Sequence, residues 1–383
     1  MINLQLSSLP GEETPYYLYD RSLMEQTLDA AQTAANPLPR MHLHYAVKAN
    51  ANPQLLRAVA ARGLGADCVS GYEIERCISA GIDPQKIMFA GVGKTDKEIQ
   101  AALSAGILCF NVESLPEIDV LQNIAQSMGV KTHAALRINP NIDAHTHKYI
   151  TTGLEENKFG ITMADAESAA RHILRQPNLQ LYGLHFHIGS QILRMQSFRL
   201  LCRRASQLVH SLSQKGIPIQ SVNLGGGLGV DYRQPLRNPI PNFSGYFRTL
   251  QENLSLPEGT ELHCELGRSL TAQWGALITS VVYVKTTPKK QFIIVDAGMN
   301  DLLRPALYGA SHRIINLSAT TRHLHRYDVV GPICESSDVF ARDVMLPTTR
   351  RGDLLALLSA GAYGQVMASH YNCRPLPREY FTH

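Results

Sequence analysis

The chain has 383 residues, 44% of them hydrophobic and 18% charged, with a formal net charge of +4 at neutral pH. That length and apolar content suit two domains, or one large domain with an addition. The charge is small and scattered, which gives no support for nucleic-acid binding, and no run approaches the about eighteen apolar residues of a membrane span.

The opening stretch MINLQLSSLPGEETP has neither a basic n-region nor a long apolar run, so it does not read as a secretory signal. Seven cysteines, widely spaced and without a CxxC pair, point to reduced thiols in a cytoplasmic protein rather than to a disulfide framework or structural zinc. YYLYD (16–20) then reads as a strand. Eight further strand-like runs follow: HLHYAVK (42–48), GADCVS (65–70), KIMFAG (86–91), LCFNVES (108–114), AALRINP (134–140), YGLHFHIGS (182–190), SVNLGGG (221–227) and ELHCELGR (261–268). Helix-like segments separate them, from NPQLLRAVAARG and GYEIERCISAG to FRLLCRRASQLVHSLSQKG. Their apolar positions recur every three to four residues, and several stop at Gly.

Strands alternating with helices imply a parallel sheet, and a count of eight favours a closed (β/α)8 barrel over an open doubly wound sheet. After about residue 270 the texture changes. GALITSVVYVKTTPKKQFIIVDAG (275–298) reads as two strands around a Thr-Pro-Lys-Lys turn, and YDVVGPI and DLLALLSAGAYG continue the β pattern. The expected architecture is therefore a barrel over residues 22–268, with residues 1–21 and 269–383 forming a β domain.

Barrel enzymes carry their chemistry at the C-terminal ends of the strands. Those ends hold Lys48, Asp67, Arg137, His187, Gly189-Ser190, Gly225-Gly226-Gly227 and Glu265-Leu266-Gly267-Arg268. GGGLG is not a GxGxxG fingerprint and runs into VDYRQP rather than a helix, so its bare amides suit a phosphate better than a dinucleotide. The pairs His185/His187 and His42/His44 each fall two apart, on one side of a strand; without a well-placed carboxylate or third histidine they argue for packed or stacking rings, not metal. An amine, a flat imidazole, a carboxylate and a phosphate cradle together describe a pyridoxal phosphate site. There, lysine joins the aldehyde, histidine lies on the ring, and a carboxylate keeps the ring nitrogen protonated.

YAVKAN (45–50), GLHFHIGSQI (183–192), NLGGGLGVDY (223–232), ELGRSL (265–270), CESSDVFARD (334–343) and GAYG (361–364), in this order, resemble the fold-type III pyridoxal phosphate enzymes. RINPNIDAHTHKYITTGLEENKFGI (137–161) and GPICESSDVFARD (331–343) make the chain most similar to the diaminopimelate decarboxylases, more than to ornithine or carboxynorspermidine decarboxylases. The resemblance runs from about residue 14 to residue 380. It implies an alanine racemase-like barrel with a β-sandwich or β-barrel domain, pyridoxal 5'-phosphate as cofactor, and decarboxylation of meso-2,6-diaminopimelate to L-lysine.

The resemblance also implies roles. Lys48 would carry the cofactor, His187 would stack on its ring, and Glu265 would pair with its nitrogen. Ser190, Gly226, Gly227, the Gly267-Arg268 backbone and Tyr363 would hold the phosphate or its surroundings. Arg268, Arg304 and Tyr308 would bind a substrate carboxylate, with Tyr363 nearby. Cys334 would donate the proton, and an ordinary thiol pKa of roughly 8.5 leaves such a group protonated at neutral pH. Glu335 would meet the distal amine. In this family the Cys-Glu pair serves a partner subunit, so a homodimer with shared sites is implied. One departure stands out: the family's usual EPGR is ELGR here, with Leu266 in place of a φ-fixing proline.

Rival readings are weaker. An ornithine or arginine decarboxylase has no use for a second carboxylate clamp, and Glu265 disfavours a racemase. A non-catalytic paralogue would not be expected to retain both Lys48 and Cys334. A sugar-phosphate barrel enzyme leaves Lys48, His187 and Glu265 as coincidences.

Overall fold

The computed structural model describes residues 2, 4, 6, 9–142 and 158–382, so residues 143–157 of the RINPNIDAHTHKYITTGLEENKFGI motif lie outside the described residues. Internal contacts divide the chain into two units. One comprises residues 29–229 and 242–267, the other residues 1–28, 230–241 and 268–383.

In the first unit, parallel strands Met41–Ala46, Gly65–Cys68, Ile87–Phe89, Cys109–Val112, Thr132–Asn139, Leu179–Phe186, Ser221–Asn223 and Glu261–Leu266 pair in chain order. The last returns to the first, with Glu265 opposite His44 and Leu266 opposite Tyr45, and this closes the barrel. Helices Pro53–Ala61, Gly71–Ser79, Asp96–Ala105, Leu115–Met128, Ala166–Leu174 and Met195–Gln214 follow the first six strands. Ser70, Thr95 and Ser114 cap three of these by accepting the backbone N–H groups of Glu73, Glu98 and Glu117. At Thr95, the Glu98 carboxylate reaches back to the cap N–H, completing a capping box. These caps stop each strand-to-helix turn at a defined residue, which fixes where the strand-end side chains emerge.

Met88, Cys109, Ala135 and Tyr182 form one apolar cluster on the barrel strands. The same strands also bury His44, Asp67, His185, Asn223, His263 and Glu265. A barrel interior normally holds branched aliphatic side chains. So many polar groups there need partners, and their partners define the site.

The second unit is built on an eight-stranded, mostly antiparallel sheet. Its central path runs Ile314–Asn316, Leu354–Leu358, Gly275–Thr286, Gln291–Val295, Leu324–Val330 and Val339–Pro347. Tyr16–Tyr19 adds to Gly275–Thr286 antiparallel and to Arg378–Phe381 parallel, so the first strand of the chain meets the last. Among the described residues no helix is long and apolar enough to cross a membrane.

Candidate active site

Lys48 lies in a single 3-10 turn, Val47–Ala49, that begins where strand Met41–Ala46 stops. The Tyr45 phenol donates to the Asn50 carbonyl at 2.7 Å, and the Asn50 and Asn52 side chains accept the next backbone N–H groups, so the turn is pinned. Lys48 Nζ reaches Asp67 Oδ2 at 3.2 Å. Asp67 is wholly buried on the neighbouring strand, and its other oxygen, Oδ1, has no partner. Burial and the Glu265 carboxylate push the Asp67 carboxyl up, against the pull of Lys48 and His185.

Glu265 is held from two sides. Its Oε1 accepts from the Asn223 amide at 2.7 Å, and its Oε2 meets His185 Nε2 at 3.1 Å. Burial alone would raise this carboxyl; His185, then Lys48, outweigh burial and hold it well below the usual carboxylate range. Asn223 also accepts the Gly225 N–H at 2.8 Å, which ties the carboxylate's position to the glycine turn.

Gly225 and Gly227 take φ values of 68° and 103°, where side chains are strained. At Gly226 a Cβ would stand 1.8 Å from the Glu265 carbonyl oxygen, so only glycine lets the chain pass. The Gly226 N–H donates to His187 Nδ1 at 3.4 Å, which places that imidazole's proton on Nε2. Burial, then Lys48 and Arg137, keep His187 well below its usual pKa, so the ring is neutral. The strand ends at Phe186, one residue short of His187. His187 thus lies just beyond the strand that carries His185; His185 meets Glu265, and His187 meets the Gly226 N–H.

The His42/His44 pair gains a third imidazole that spacing did not reveal. His44 Nε2 and His263 Nδ1 are 2.9 Å apart, and His42 stacks on His263. Among the described residues no group of three side chains is arranged to hold a metal ion. Arg137 pairs with Glu113 at 2.7 Å, and Glu113 also accepts the N–H groups of Gly91 and Gly160, so that pair braces two neighbouring loops. Ser190 is half-buried, and Leu266, in place of the motif proline, is the fully buried last residue of its strand. A Cβ on Gly267 would come 3.1 Å from the Ala46 Cβ, close to the strand end that leads into Lys48.

The second unit carries the remaining candidates in two places. Arg268 donates to the Tyr232 hydroxyl at 2.8 Å and lies 4.8 Å over the Tyr363 ring. Tyr363 itself sits at φ 55°, a strained position for a tyrosine. Arg304 opens the short helix Arg304–Tyr308, faces the Tyr232 ring at 4.8 Å, and donates to His312 at 2.8 Å. Tyr308, half-buried, closes that helix. Cys334 is exposed. Beside it, Glu335 accepts from Ser337 at 2.7 Å and from the Tyr371 hydroxyl at 2.9 Å, and these two bonds hold its carboxyl below the usual range. Asp338 fixes the loop by accepting the N–H groups of Ile333 and Met299, each at 2.7 Å.

Residues 24–272 match the pyridoxal-binding domain of the pyridoxal-dependent decarboxylases. The diaminopimelate decarboxylase of Bacteroides thetaiotaomicron is 50% identical over 368 residues, 96% of this chain and 95% of that protein. This chain belongs to the diaminopimelate decarboxylase family. The family member from Vibrio cholerae is 45% identical over 94% of this chain and 86% of its own. The crystal structure of the Helicobacter pylori diaminopimelate decarboxylase complexed with L-lysine superposes with a TM-score of 0.91 at 42% identity, covering 97% of this chain and 92% of that one.

Diaminopimelate decarboxylases use pyridoxal phosphate, and the residues of the barrel unit fit it. The cofactor needs an amine, a flat face, an anion for its ring nitrogen and donors for its phosphate. Lys48, neutral His187, ionised Glu265 and the crowded Gly225–Gly227 turn supply these. Two buried atoms without partners, Asp67 Oδ1 and His185 Nδ1, belong to the same cluster. The sequence offered His185 only as a packed or stacking ring and no role for Asn223, Glu113, Tyr232 or His312, although Asn223 and Tyr232 both stand in NLGGGLGVDY.

Proposed function

We propose that this protein removes one carboxylate from meso-2,6-diaminopimelate, yielding L-lysine and carbon dioxide as the last step of lysine biosynthesis. The observation that carries the substrate is Arg304: a guanidinium only 5% exposed, held by a phenol ring and a neutral imidazole, with its Nε unpartnered. A buried cation without an anion asks for one from a ligand. Ornithine-type substrates carry no second carboxylate to supply it.

Pyridoxal phosphate supplies an electron sink for the pair left on the α-carbon when carbon dioxide departs. Lys48 Nζ binds the cofactor, and Asp67 orients that amine. Ionised Glu265 would hold a proton on the pyridine nitrogen, and His187, a neutral imidazole, would cover the ring face. Ser190, the Gly226 and Gly227 amides, the Gly267-Arg268 backbone and Tyr363 hold the phosphate. Arg268, Arg304 and Tyr308 grip the carboxylate that stays on the product, with Tyr363 beside Arg268. Glu335 receives the distal ammonium, and the Cys334 thiol delivers a proton to the α-carbon.

The exposed Cys334-Glu335 turn serves the site of a second copy, so the working form is a homodimer with shared sites, acting in the cytoplasm. Residues 22–268 are assigned as the cofactor domain and residues 1–21 with 269–383 as a β domain.

The test is turnover of purified, cofactor-loaded protein on meso-diaminopimelate, ornithine, arginine and carboxynorspermidine, with carbon dioxide and amine product both measured. Lysine from diaminopimelate alone supports the reading. Comparable turnover of a monocarboxylate would overturn the substrate while leaving the cofactor chemistry intact.

A further inference from the structure

We infer that Tyr232, with His312 behind Arg304, is a positioning residue that binds two arginines into one receptor for the carboxylate retained on the product. The inference rests on the proposed reading of Arg268 and Arg304 as carboxylate-binding groups, and adds how they are held and why both are needed.

The geometry fixes the proton positions. His312 Nδ1 lies 2.8 Å from the Leu358 carbonyl, which can only accept, so Nδ1 carries the proton. Its Nε2 is then a lone pair, and it accepts from Arg304 at 2.8 Å. His312 is therefore a neutral strut between the guanidinium and the strand Leu354–Leu358. Burial and the Arg304 charge keep it that way, holding its pKa at about 3.

Tyr232 does two things at once. Its ring lies under Arg304 at 4.8 Å, and its hydroxyl oxygen accepts from Arg268 at 2.8 Å. The ring also meets His312 edge-on at 5.3 Å, so phenol, imidazole and guanidinium lock one another. One side chain thus sets the spacing of two like charges that would otherwise repel. Both guanidiniums also bear on the phenol, and their pull outweighs its burial to bring its pKa below the usual value.

The test uses Tyr232→Phe, which keeps the ring under Arg304 and removes only the hydroxyl, in the cofactor-loaded protein. Inhibition by L-lysine, which retains the carboxylate, is compared with inhibition by cadaverine, which has the same amines and no carboxylate. The expected result is an L-lysine inhibition constant and a diaminopimelate KM both raised about tenfold or more. The cadaverine constant, the kcat within about threefold and the bound-cofactor absorbance should stay put. A merely structural role would weaken both inhibitors and disturb the absorbance, and that outcome overturns the inference. Arg304→Lys separates the two levels. If it raises the L-lysine constant and Tyr232→Phe does not, Tyr232 has no positioning role and the carboxylate reading stands. If Arg304→Lys leaves the constant unchanged, the carboxylate reading itself fails. His312→Gln, expected to raise the same constant less than Tyr232→Phe, keeps the test open should the phenylalanine variant fold poorly.

Discussion

Around Glu265 the balancing groups come from the barrel itself: His185 and Asn223 grip the carboxylate, and Lys48 answers Asp67. Around Arg304 they do not. That guanidinium is as deeply buried, yet a phenol face and a neutral imidazole are what hold it, and its Nε is left over. A carboxylate pinned in an ionised state inside a barrel is poised to stabilise a cationic ring nitrogen. A buried cation with neutral partners is poised for an anion that arrives from outside. On the proposed reading, the first cluster would serve cofactor binding and the second substrate selection, and the sign of the uncompensated charge separates the two.

The comparison can be broken at each end. Lys48→Ala should show the largest effect, a fall in kcat of roughly 10⁴-fold or more on diaminopimelate, read by lysine release. Glu265→Gln keeps the shape and removes the charge, and should lower kcat by about 10²- to 10³-fold while KM moves by less than about threefold. Arg304→Ala should reverse that pattern, with KM raised roughly ten- to a hundredfold and a smaller change in kcat. Equal kcat losses in the last two variants would erase the distinction between the clusters.

The smallest effect concerns the imidazoles toward the other end of the barrel strands. Burial holds His44 at about 4, below its ordinary 6.5, and His263 lower than its usual value too. In the unfolded chain these histidines take up protons first as pH falls. Their contribution to stability is thus complete above about pH 6.5 and is lost progressively as pH falls toward the folded-state values. Denaturant unfolding measured between pH 7 and pH 4.5 should show this slope, and His44→Gln should make it shallower by up to about one proton. An unchanged slope in the variant would mean that His44 is not the neutral group described here.

Much of this was legible in the sequence for a local reason. A parallel barrel repeats a strand and a helix, each with its own period, so the eight strands could be read one at a time, and Lys48 stood out only together with the other residues at the strand ends. The helix Phe243–Asn253 was harder, because it follows the proline-rich RQPLRNPIPN and carries Gly245 in its first turn. Strand Val339–Pro347 was hidden by Asp343, whose φ of 52° interrupts the alternation, and by the proline at its end. The partners of Glu265 could not be read at all: His185 is 80 residues away and Asn223 is 42. Tyr232 sits in an irregular segment with no period, so nothing local marks it as the group between two arginines.

The most direct measurement is to load the protein with pyridoxal 5'-phosphate, reduce it with borohydride, digest it and map the added pyridoxyl mass by peptide mass spectrometry. The account predicts a single modified site, Lys48, and no stable modification in Lys48→Ala. A pyridoxyl group on any other lysine, or none after reduction of the native protein, would contradict it.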